Sequence, residues 1–214
     1  MRSREPIPAE PWPHDMLITV DDQPGSLLDL LWIRQAHQLQ PRGDDLPPLL
    51  SETPMVVRDP AVDAETRVAW EEVWPYLWHA AAAHAGGESD PRLFEEIQRT
   101  VDGSTERADL LRRIVGPNWR DHCGDDAFHS ASYRTWSDAA AHARLAAVPA
   151  RLADSPERRI LPVLIRSWQA GLTKIVTIPC RGEFTRTVSR NGLLLTNTSR
   201  DDIDGYQRAL RTFI

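Results

Sequence analysis

The sequence predicts an α+β protein: a mostly helical body with a small antiparallel sheet of three strands near the C-terminus. A possible fourth strand lies at residues 16–20. Three observations predict this. Apolar residues recur at helical spacing through most of residues 22–170. After Gly171 the period changes, and "LTKIVTIP", "GEFTRTVSR" and "GLLLTNT" are rich in β-branched residues and separated by turn residues. Helical spacing then returns over 199–213, where Ile203, Tyr206, Leu210 and Phe213 form an apolar stripe. On this reading about two-thirds of the chain is helical.

The chain of 214 residues is long enough for one good core. Residues 1–14, rich in proline and charge, read as a flexible N-terminal arm without the apolar core of a secretory signal. Residues 15–214 read as a single domain: a helical part at 22–170, a β-meander at 172–198 and a C-terminal helix at 199–213.

The elements follow in order. "MLITV" (16–20) is a short strand. Asp22 caps the next helix, and Pro24 suits its first turn, where a missing N–H leaves nothing unsatisfied. Its leucines, Trp32 and Ile33 cover most of the circumference, so it is buried on several sides. Over about a dozen residues "ITVDDQPGSLLDLL" resembles the opening of an ACT ligand-binding domain, in which a strand leads through D-x-P-G into a helix. That pattern requires a second strand soon after the helix. A proline-rich connector (40–54) stands there instead, so the likeness is read as shared capping chemistry rather than kinship.

Residues 61–85 form a helix carrying Trp70, Trp74 and Trp78 four apart, with Pro75 between the last two, and Gly86-Gly87 end it. The spacing puts the tryptophans on one stripe with Val73, Leu77 and Ala81 beside them, the pattern of a helix pressed into a core. The competing reading is an exposed aromatic groove for a partner. Asp90 with Pro91, and then Ser104, open two further helices, the second stopping at Gly116-Pro117. Asp125 or Asp126 opens a long alanine-rich helix to about Val148. Ser155-Pro156 opens another, kinked by Pro162. Asn191-Gly192 signals a type I′ hairpin, which needs positive φ at both residues. Ser199, Asp201 and Asp202 open the last helix.

Charge is uneven. Residues 1–155 hold 15 basic and 26 acidic side chains, net −11, and residues 156–214 hold 10 and 5, net +5. This asymmetry fits either an anionic partner for the basic part or attraction between the two parts of one molecule. Lys174 is the one lysine beside 24 arginines, a bias that a GC-rich bacterial genome explains.

The candidate ligand-binding residues are Arg186, Arg181, Arg190 and Cys180. Arg186 lies between Phe184 and Val188 on one strand face, so its guanidinium needs an anion: a carboxylate of the acidic body, or a phosphate or carboxylate ligand. Lys174, Arg181 and Arg200 make the sheet basic. Cys180 sits beside Arg181, whose charge would lower the thiol pKa. Asp121, His122, Cys123, Asp125, Asp126 and His129 are of metal-ligating types, but their spacing matches no metal motif. No metal, cofactor or catalytic residue is therefore assigned, and no nucleotide or hydrolase motif is found.

Two cysteines point to a reducing, cytoplasmic setting, and no apolar run is as long as a membrane span. The function these features favour is a non-catalytic bacterial interaction or regulatory protein, with a protein partner or self-association. The alternative is an enzyme or sensor of a small anionic ligand held by the arginine-rich strand. A nucleic-acid binder using the basic sheet comes third, disfavoured by the negative net charge.

Overall fold

A computed structural model describes residues 11–58, 62–88, 90–147, 149–151 and 154–214. The chain is α+β and 55% helical, less than the sequence suggests, with a four-stranded sheet. The strands are β1 (Thr19–Asp21), β2 (Lys174–Ile178), β3 (Thr185–Ser189) and β4 (Gly192–Thr196), in the order β1-β2-β4-β3. β1 pairs parallel with β2, and β2 parallel with β4; only β3 and β4 are antiparallel. The expected antiparallel meander is thus corrected to a mixed sheet. The reason lies just after β2, where the backbone bonds to residues 49–51 instead of turning back. Ser51 N–H donates to Pro179 O and Arg181 N–H to Leu49 O. β4 then takes the place beside β2.

Alternation on the two central strands explains why they are covered on both faces. Ile175, Leu193 and Leu195 point to one side, into a core with Ile160, Leu161, Leu164, Tyr206 and Leu210. Val176, Ile178 and Leu194 point to the other, into the larger core. That larger core is built by α1 (Gly25–Ala36) and α2 (Ala64–Gly86).

The tryptophans of α2 are core. Trp74 is fully buried and Trp78 nearly so; their rings stack with centroids 5.5 Å apart. Trp74 Nε1 donates to Leu30 O at 2.8 Å, which satisfies the one polar atom that burial would strand. Trp70 is half-buried, edge-on to Trp119. Asp63 caps the helix by accepting from Thr66 N–H.

Beyond α2 come α3 (Pro91–Arg99) and α4 (Thr105–Val115), capped by Asp90 and Ser104 as their sequences predict. Then follow α5 (Trp119–Cys123), a 3-10 turn (Asp126–His129) and α6 (Ala131–Ala147). The helix expected to begin at Asp125 or Asp126 therefore begins at Ala131, after the separate short turn. The helix expected to kink at Pro162 is instead two, α7 (Pro156–Arg159) and α8 (Leu161–Gln169). Pro162 lies in the first turn of α8, where its missing N–H costs nothing.

The C-terminal helix is likewise two. α9 (Asn197–Asp201) is capped by Thr196 and α10 (Ile203–Arg211) by Asp202. Tyr206 and Leu210 are buried, whereas Ile203 is 42% exposed, outside the stripe assigned to it. At the N-terminus, residues 1–10 of the expected arm lie outside the described residues. Trp12, within the arm, is half-buried against the second core and donates to Met16 O at 3.0 Å. No helix among the described residues is long and apolar enough to cross a membrane.

Candidate functional site

The four residues singled out from the sequence lie on or beside β3 and the loop before it. Arg186 forms an ion pair with Asp45, both side chains being roughly two-fifths exposed. Arg181 is exposed, and its guanidinium donates to Thr53 Oγ1 at 2.7 Å. Arg190 is exposed just beyond β3. Cys180 is fully buried, and burial pushes its thiol up to about 12. The guanidinium that acts on it is that of Arg34, not Arg181, and its effect is the smaller. Burial, not a neighbouring charge, dominates at this thiol. β2 and β4 are buried along nearly all their length, so they offer no flat basic face.

Of the metal-capable residues, Asp125, Asp126 and His129 come together, all exposed. Asp121 accepts instead from Asn118 Nδ2, His122 lies against Tyr76, and Cys123 is half-buried with its thiol raised by burial.

A different place collects unpartnered charge. Parts of four helices, α1 to α4, meet over the β1 edge of the sheet, on the α1/α2 side, and line a cleft of about 400 Å³. Its construction starts at the end of α2. Ser189 Oγ donates to Gly86 O at 2.7 Å, and Asn191 Nδ2 donates to Thr173 Oγ1 at 2.6 Å. The first bond fastens the helix end to the end of β3, and the second ties the residues just before β4 and β2 to each other. A Cβ on Gly192 would lie 2.2 Å from Gly86 O, so only glycine allows this approach. Neither Asn191 nor Gly192 has positive φ. The expected type I′ turn is therefore corrected: the glycine serves close packing against α2, not the turn.

The adjoining wall is the end of α4. His84 Nε2–H donates to Ile114 O at 3.0 Å, and Ser26 Oγ to Val115 O at 3.4 Å. Gly116 follows at φ +72°, and a Cβ there would strike the His84 ring. On the floor, Asp21 Oδ1 accepts from Gln23 N–H at 3.0 Å. This bond replaces the expected cap by Asp22: α1 begins after Pro24 with no side-chain cap.

Lys174 and Arg113 line the cleft. Lys174 opens β2 and, by alternation with Val176, faces the α1/α2 side half-buried. Among the described residues neither cation has an ion-pair partner. The acids of the lining are engaged differently. Asp90 caps α3, Asp21 holds the turn, and Glu88 accepts weakly from Asn191 Nδ2.

Sequence reasoning missed this cleft because its residues come from five separated segments. One signal was present: a single lysine, at a strand start, in a chain that otherwise uses arginine. Comparison with protein-family models, with curated proteins and with solved structures finds no match to this chain.

Proposed function

We propose that this protein binds a small anionic ligand in the cleft at the β1 edge, with Lys174 and Arg113 supplying the charge. The observation that carries this reading is Lys174 itself: the chain's one lysine, half-buried, lining a cleft, with no carboxylate paired to it among the described residues. Burial of a cation is ordinarily offset by a partner. Here the partner's place faces open space large enough for a ligand. A cleft with low-dielectric walls also strengthens the attraction between such cations and an anion. The anion reading drawn from the sequence is kept, but its place moves from Arg186, which has Asp45, to Lys174.

The interaction-protein reading has less support. Outside the cleft, large apolar side chains are exposed, among them Val101, Tyr76 and Leu145 at 75%, 66% and 66%, and these three stand on separate parts of the chain. Scattered exposure of this kind is ordinary on a protein surface.

The single lysine makes the test direct. Reductive methylation with ¹³C-formaldehyde keeps the charge and labels one ε-ammonium besides the N-terminal amine. Titration with phosphate or acetate at constant ionic strength is expected to shift the Lys174 signal saturably. Arg113→Gln is expected to weaken the response several-fold. A Lys174 signal indifferent to both anions contradicts the proposal.

A further inference from the structure

The two cations share their cleft with large apolar side chains. Leu93 and Phe94 come from α3, and Ile114 and Val115 from the end of α4. Phe94 is 53% exposed and Val115 49%. α3 buries none of its residues, although Leu93, Phe94 and Ile97 lie on one of its faces. It is tied to α4 by Arg107, which donates to Ile97 O and, at 3.3 Å, to Thr100 Oγ1. Ala81 and Ala85 of α2, with small side chains that carry no polar atom, add to this apolar lining.

An inorganic anion would fill little of about 400 Å³ and would leave these side chains in water. Apolar surface facing a cleft gains only when something apolar covers it. Two of the three lining acids, Asp21 and Asp90, accept backbone N–H groups, and among the described residues no acid is ion-paired to Lys174 or Arg113, so these two cations are open to a ligand. Building on the cleft reading, we infer that the ligand is an organic acid with an apolar aryl or branched alkyl body. Its anionic head lies at Lys174 and Arg113, and its body lies against Phe94, Leu93 and Val115. A carboxylate and a phosphate monoester both supply such a head.

The test compares four probes on the full chain by calorimetry and by the labelled Lys174 signal: acetate, phenylacetate, phenyl phosphate and phenethylamine. Phenylacetate is expected to bind at least tenfold more tightly than acetate, and Phe94→Ala to remove most of that gain while acetate binding stays within twofold. Phe94 is half-exposed, so this variant leaves the core intact, and the comparison of probes on the wild type needs no variant. Tighter binding of phenyl phosphate than of phenylacetate assigns the head as a phosphate, and the reverse assigns a carboxylate. Equal binding of acetate and phenylacetate overturns the apolar body and leaves the anion cleft standing. Phenylacetate binding that Phe94→Ala does not change overturns its placement on α3. No response to any probe, or an equal response to phenethylamine, overturns the cleft reading and this inference together.

Discussion

Arg186 on β3 and Lys174 on β2 are cations of the same sheet, near opposite edges, and the fold treats them differently. At the β3 edge Asp45 meets the guanidinium of Arg186, and Cys180 is sealed under residues 49–51. At the β1 edge the ammonium of Lys174 meets a cleft. The difference teaches that clustered charge in a sequence does not measure available charge. Two arginines of the basic part are paired within it, Arg200 with Glu157 and Arg208 with Glu183. Tyr206 O–H also donates to Glu157, at 3.0 Å. Among the described residues, the ion pair Arg186–Asp45 crosses from the basic part to the acidic part in the way the charge asymmetry suggests.

The comparison can be broken or sharpened by substitution. Both edges rest on α2, so Trp74→Ala is the reference for structural loss. It removes a fully buried ring and its bond to Leu30, and should cost about 3–5 kcal/mol in chemical denaturation. Stability unchanged from wild type would place the tryptophan stripe outside the core. Gly192→Ala acts nearer the cleft. Its Cβ must displace the end of α2, a backbone neighbour that cannot swing aside, for a loss of about 1–3 kcal/mol. The same variant should alter the environment of labelled Lys174. A loss of stability that left that signal untouched would separate the cleft from the α2 anchor.

Arg186→Met should have the smallest effect on stability, about 1 kcal/mol or less, because both members of the pair are well exposed. A loss as large as that of Trp74→Ala would mean that Arg186 carries more than this pair.

Much of the fold is legible in local chemistry. The tryptophan stripe, the caps at Asp90 and Ser104 and the three C-terminal strands each depend on residues close together in sequence. What is not legible depends on distant partners. The parallel pairing of β2 with β4 follows from bonds to residues 49–51, and the role of Gly192 from the end of α2. Pro162 can kink one helix or start another, and its own sequence does not choose between them. The site follows the same rule. Arg186 was recognisable as a cation needing an anion, since its strand neighbours are apolar, but Asp45 lies 141 positions earlier. Lys174 was visible as an oddity of composition and as one of the cations that make the sheet basic, but the α3–α4 wall that makes it part of a cleft is remote in sequence.

The most direct test sets the two cations against each other. Thermal unfolding of wild type, Lys174→Met and Arg186→Met is followed with and without phenyl phosphate at matched ionic strength. A ligand that binds only the folded state raises the melting temperature. The account predicts a rise of similar size in the wild type and in Arg186→Met, and little or none in Lys174→Met. A rise that survives in Lys174→Met and disappears in Arg186→Met would return the site to β3 and contradict the account.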